Sequence, residues 1–313
     1  MLARLGFVAS VLSESLTASR TCRLGNATDE RLRELIAGNL AGLDCILDFL
    51  ARHDIRLYRI TSNLIPYASH RANAIPWWKE FGGTLERLGD RIRAIGVRVS
   101  THPGQYTVLN SPNRSVVEAA VAELEYHARL LDALGTDSDS KIVVHAGGLY
   151  GATKREALDR FCRTVRALSA AVRRRLVLEN DDRLFNADEV LEAARALGIP
   201  VVFDWLHHRA NTCRRPLASV VAEVFATWTP ADGRPKVHLS SQARGARPGA
   251  HADYVRPSDF LALLAVVPEQ PFDCMLEAKQ KDRALLRLRD RLEQLGIREG
   301  VSGASPVCCK RRR

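Results

Sequence analysis

The sequence predicts a single (β/α)8 TIM barrel, an α/β fold. Three observations point to it: eight short apolar, β-rich runs recur, amphipathic helical stretches separate most of them, and each run is followed by a polar residue or loop. Alternating strand and helix signals imply a parallel sheet, and eight such units in one domain suggest a closed barrel. At 313 residues and 34.7 kDa the chain has the size of one such barrel.

The runs are residues 5–9, 56–60, 97–101, 141–145, 176–179, 201–204, 236–239 and 272–277. Each is close to continuously apolar, as expected of a strand covered on both faces. Helical spacing fills residues 30–51, 116–134, 154–170 and 187–196, and a last helix covers 281–295. Gly198 follows Leu197 where a helix-ending glycine belongs, and Pro200 opens the next strand, where its missing N–H is tolerated. Residues 1–295 contain no repeat and no linker, so they are expected to form one domain. The Gly/Ser-rich segment 296–313 has no periodicity and is expected to be a disordered, basic tail.

A net charge of +10 and a pI of 9.6 call for an anionic partner, with nucleic acid first among them. No apolar run approaches the ~20 residues needed to cross a bilayer. The first 19 residues carry Arg4 and Glu14 without the layout of a signal peptide. A cytoplasmic, nucleoid-associated monomer with no membrane partner is expected. Seven cysteines without a C-x-x-C pair fit reduced thiols and exclude a disulfide scaffold. A hydrophobic fraction of 46% excludes wholesale disorder.

The chemistry stands at the C-terminal ends of the runs, in THPGQY (101–106), VVHAGG (143–148), VLENDD (177–182), VFDWLHH (202–208), KVHLSSQ (236–242) and MLEAKQK (275–281). Two more histidines lie in loops, His70 in YASH and His251 in AHADY. That edge of a barrel is where site residues converge. His70, His102, His145, Glu179, Asp204, His207, His238, His251 and Glu277 are therefore directed toward one pocket. Any one of them could be an ordinary core or capping residue. Nine together, without a cation, would leave charges and imidazoles unpaired at high cost. Imidazole with carboxylate suits zinc or manganese ions. Strand alternation turns Lys236 inward with His238, Lys279 with Glu277, and Asp181 with Glu179. An inward Lys236 is a phosphate clamp, a modified ligand, or the salt-bridge partner of a ligand carboxylate. His127, inside a helix, and His53, at a helix end, read as structural, and His208 as pointing away from the site.

The opening RLGFV, then YRITSNLIPYASH, THPGQYTVLNSP, VVHAGG, LENDD, FDWLHH, KVHLSSQ with AHADY, and MLEAKQK resemble the UV damage endonuclease family in this order, over residues 3–290. The resemblance implies a barrel related to that of the endonuclease IV group. It also implies incision of damaged double-stranded DNA immediately 5′ of ultraviolet photoproducts, and at abasic or other distorting lesions, leaving a 3′-hydroxyl and a 5′-phosphate. By motif, the nine residues match the family's metal ligands and Lys236 its active-site lysine, with Glu179 and Glu277 anchoring a cluster of three divalent ions. Manganese is the expected metal, with zinc or cobalt as alternatives. Gln105 and Tyr106 match the pair that probes the lesion. Phe7 stands where members often carry Tyr, which implies a stacking face near DNA without the hydroxyl. The chain resembles the short bacterial form, lacking the long N-terminal extension of fungal members.

Two other functions are compatible with parts of this pattern. A two-metal sugar isomerase or epimerase barrel would use Glu179, Asp204, His207 and Glu277 but leave four histidines without a role. A non-catalytic DNA-damage binding protein would need no nine-residue pocket.

Overall fold

The computed structural model describes residues 1–300. Eight strands, β1 (Leu2–Val8), β2 (Leu57–Arg59), β3 (Arg98–Thr101), β4 (Lys141–His145), β5 (Leu176–Glu179), β6 (Val201–Asp204), β7 (Lys236–Leu239) and β8 (Phe272–Leu276), close into a barrel in sequence order. Every neighbouring pair is parallel, β8 returning to β1 through Leu5–Cys274 and Gly6–Met275. Among the described residues, no helix is long and apolar enough to cross a membrane.

Local signals set the helix boundaries. Thr28 accepts from the Arg31 N–H and starts the helix Asp29–Arg52. Thr153 with Glu156 and Asn186 with Glu189 form reciprocal caps for Lys154–Ala167 and Ala187–Leu197. Gly198 ends the latter at φ 64°, a conformation that favours glycine. Apolar faces of these helices pack on the outward side chains of the strands, which makes the main core a ring between sheet and helices. Phe7 lies in that ring.

Inside the barrel, Val143, Val177, Val202 and Trp228 form a separate apolar cluster. Below it is a polar plug: Arg98 donates to Asp273 at 2.9 Å and Lys141 to Asp232 at 2.6 Å, with Arg98 5.4 Å from the Trp228 ring centre. Above it, two residues further along the same strands, stand His145, Glu179 and Asp204. Alternation keeps them on the inner face, so the valines are the floor on which the polar site rests.

β5 ends at Glu179 as its apolar run suggests, and Asp181 lines the cavity shared with His102, His145 and His207, whereas β8 ends one residue early and corrects the expectation for Lys279. The Asp181 carboxylate accepts the N–H groups of Arg183, Leu184 and Phe185, capping a turn. β8 stops at Leu276, and Lys279 is exposed. Period-two spacing fails once the backbone leaves the sheet.

Residues 296–300, placed by the sequence in the tail, are held at the N-terminal end of the barrel. Glu299 accepts from the Leu5 N–H and from Arg289, both at 2.7 Å, and the Gly300 N–H donates to Leu2. The rest of that segment, 301–313, lies outside the described residues.

Candidate metal centre

Glu179 is the hub. Wholly buried at the end of β5, its Oε1 lies 2.6 Å from His238 Nδ1, and its Oε2 lies 3.1 Å from His102 Nε2 and 3.4 Å from His145 Nε2. Three groups of potential ligand atoms, each within 4.8 Å of one another, share it: His102, His145 and Glu179; Glu179, His238 and Glu277; Glu179, Asp204 and His207. Histidine rings fill the space between, with centres 5.3 Å apart for His102 and His145, and 5.5 Å for His145 and His207.

Hydrogen bonding sets the ring tautomers. His102 Nδ1 meets the Pro103 carbonyl at 3.1 Å, His207 Nδ1 that of Asn180 at 2.9 Å, and His251 Nδ1 that of Glu277 at 2.7 Å. A carbonyl only accepts, so each Nδ1 carries a proton, and Nε2 is the nitrogen left to offer a lone pair whenever the ring is neutral. Metal-ligating histidines are oriented in this way. For His102 that lone pair faces the Glu179 carboxylate, two acceptors with nothing between them except a proton or a cation.

Electrostatics agree. Burial would raise the Glu179 carboxyl, yet His238 and His145 hold it well below its ordinary value. Burial pushes Asp204 up to about 7. For His207, burial opposes charging, but Asp204, Glu179 and Glu277 lift it to about 9. Asp204 Oδ2 and His145 Nδ1 are buried without a hydrogen-bond partner. Shared carboxylate, free lone pairs and an unpartnered carboxylate oxygen make a donor set suited to divalent ions.

The other expected residues are less close. His251 belongs to none of the three groups, but its ring centre lies 6.2 Å from that of His207. His70 is exposed on the loop after β2, and its Nδ1 accepts from the Ala72 N–H at 3.1 Å. It also stands outside the three groups. Lys236 is wholly buried beside Asp273, its Nζ without a partner. Burial, followed by the nearby Arg98 charge, holds its amine well below the usual lysine value. His127 is buried against Glu123, and His53 caps its helix. His208 follows His207 in a short helix and packs on Phe203.

Gln105 and Tyr106 lie in the loop after β3. Pro103 is buried, a turn closes from the Gly104 carbonyl to the Thr107 N–H at 2.9 Å, and the intervening side chains project outward. Tyr106 is 84% exposed. Gln105 helps line a cavity of about 410 Å³ with His102, His145 and His207, edged by Arg183 and Arg247. A larger cavity of about 650 Å³ lies around Leu2, Arg56 and Glu293 at the opposite end, away from the ligand groups.

Phe7 corrects the sequence reading. It is 0% exposed, with its ring centre 5.5 Å from Tyr58 and 6.2 Å from Phe49. Residues 6 and 8 take the inward positions of β1, which turns Phe7 toward the helix Asp29–Arg52 and away from any DNA. Phe7→Ala should therefore cost about 3–5 kcal/mol of stability in urea unfolding. Unchanged stability with weakened DNA binding would restore the surface role.

Arg59 was missed. It ends β2 at 8% exposure, with Nη1 2.5 Å from Glu277 Oε1 and Nη2 2.7 Å from His238 Nε2. Spacing puts Arg59 on the same strand face as Leu57, and the register with Gly6 and Val8 makes that face the barrel interior.

A family profile described as UV-endonuclease UvdE matches residues 3–306. A UV DNA damage endonuclease of Clostridium perfringens is 35% identical, over 93% of this chain and 71% of that one. A crystal structure of SacUVDE superposes with TM-score 0.87 at 36% identity, covering 94% of this chain and 99% of that one. Endonuclease IV from Thermus thermophilus matches with TM-score 0.54 at 17% identity, over 93% and 99% of the chains, a likeness of fold alone.

Proposed function

This chain belongs to the UV-endonuclease UvdE family, and on that premise we propose that it is an endonuclease of ultraviolet-damaged double-stranded DNA. It cuts immediately 5′ of a photoproduct, an abasic site or another distorting lesion, leaving a 3′-hydroxyl and a 5′-phosphate. It acts as a monomer in the cytoplasm, at the nucleoid. The observation that carries the reading is the sharing of Glu179 by three ligand groups.

Glu179 and Glu277 anchor a divalent cluster, with three ions and manganese proposed, zinc or cobalt as substitutes. Asp204, His102, His145, His207 and His238 complete the groups, and His70 and His251 would join them as ligands from the loops. When bound, such a cluster polarises the phosphodiester and lowers the pKa of water. The chain's part is to hold those ligands rigidly on the valine floor. Burial disfavours the charge of the Lys236 amine. That suits a ligand nitrogen or its carboxylated form better than a cationic phosphate clamp. Arg183 and Arg247, exposed at the cavity edge, offer sequence-independent contacts to the DNA backbone.

The direct test is nicking of irradiated and undamaged plasmid, with the cut ends mapped. Incision restricted to irradiated DNA, directly 5′ of the lesion, is expected. Equal cutting of both plasmids, or none with any divalent metal, would sink the proposal.

Gln105 and Tyr106 are proposed to sense the lesion. A wedge entering a base stack needs a flat face and a polar group to meet orphaned base edges. Stacking on an aromatic contributes ~1–3 kcal/mol per base, and a damaged pair opens at lower cost than an intact one. Tyr106 has no aromatic partner among the described residues, so its face is free for that purpose. Gln105→Ala with Tyr106→Ala should weaken binding to damaged duplex much more than to undamaged duplex, with metal content unchanged. Equal losses would assign the pair to general DNA contact.

A further inference from the structure

Arg59 turns its guanidinium into the ligand cluster. Nη1 donates to Glu277 Oε1, and Nη2 lies 2.7 Å from His238 Nε2. A guanidinium only donates, so Nε2 is the accepting nitrogen of that ring. The ring proton then sits on Nδ1, 2.6 Å from Glu179 Oε1, which accepts it. A neutral imidazole has one lone pair, and Arg59 holds the one on His238. Because Nε2 accepts, the ring bears a single proton and is neutral.

The three ligand groups are therefore not equivalent. Among the described residues, no arginine hydrogen-bonds to a donor atom of the His102, His145, Glu179 group or of the Glu179, Asp204, His207 group. In the third group, two of the three side chains are engaged by one cation that is already part of the protein.

We propose that Arg59 is an internal competitor for the His238–Glu277 subsite, so that an ion enters there only by displacing Nη2 from His238. This subsite is consequently the last to fill and the weakest. The rigid guanidinium can pivot about its Nη1 contact with Glu277, carrying Nη2 away from His238, so filling the subsite does not expel the arginine. The inference rests on the metal-centre reading above and concerns the order in which that centre loads.

The test uses metal-stripped full-length protein titrated with Co²⁺, followed by visible absorption and by bound equivalents after desalting. Wild type, Arg59→Met and Arg59→Lys are compared. In Arg59→Met the last equivalent should bind about tenfold or more tighter than in wild type, the scale of one lost charge-assisted hydrogen bond. The earlier equivalents should be unchanged. The metal-free variant should melt at a lower temperature, because Glu277 loses its counter-charge. If Arg59→Met does not fold without metal, Arg59→Lys decides. A single ammonium cannot span Glu277 and His238 as the fork does, so its last equivalent should also tighten, by less. A last equivalent that is no tighter, or weaker, in the variants that fold overturns the proposal and makes Arg59 a support of the ligands. Absence of any Co²⁺ binding by wild type overturns the metal-centre reading itself, and this is seen before any variant is compared.

Discussion

Glu179→Gln should abolish useful incision while leaving binding to irradiated DNA nearly intact. The substitution keeps volume and one acceptor but removes the charge that three ligand groups share. Losing an outer partner of a metal ligand commonly costs ~10–100-fold in affinity or activity, and a ligand common to every group should cost more. The DNA contacts proposed for Gln105, Tyr106, Arg183 and Arg247 do not depend on Glu179, which is buried beneath them. Nicking rate and gel-shift affinity measured on one preparation separate the two effects. Glu277→Gln should behave alike. Nicking at the wild-type rate by Glu179→Gln would remove that residue from the chemistry. A parallel fall in DNA affinity would indicate a collapsed site.

Stripping divalent metal should stop incision entirely, and manganese should restore it better than magnesium, because imidazole-rich shells suit softer ions. Full activity after exhaustive chelation, with metal loss confirmed, would falsify the site. Reloading should depend on pH with a defined sign. Bound metal requires Asp204 ionised and His207 neutral, whereas without metal burial raises Asp204 to about 7, and neighbouring carboxylates raise His207 to about 9. Both must release a proton, so affinity should rise with pH up to about 9. His207 also sits above its free value of 6.5, so its contribution to metal-free stability is complete below that pH and fades toward about 9. The stabilisation produced by saturating Mn²⁺ should therefore grow from pH ~6 to ~9, read as a melting-temperature shift. A shift that is flat or shrinks over that range would contradict the assignment of Asp204 and His207.

Much of this protein was readable from residue order. Apolar runs buried on both faces, separated by amphipathic stretches, admit few arrangements, so the parallel barrel and the side of it that carries the site followed from composition and spacing. Glu179, Asp204 and His238 were legible because strand ends fix both position and facing. His70 and His251 were read from motif alone, since loop residues have no periodicity to place them.

The rest was decided in three dimensions. The family resemblance put Phe7 near DNA, but only closure of β1 on β2 showed that its alternation turns it outward onto Phe49 and Tyr58. Lys279 was assigned inward by a period that holds only while the backbone stays in the sheet. Arg59, 179 residues from His238 and 218 from Glu277 along the chain, could be given an inward side by spacing but not a partner. Local rules fix which face of a strand a side chain occupies. Which charges then meet depends on barrel register and stagger, which arise only when β8 closes onto β1.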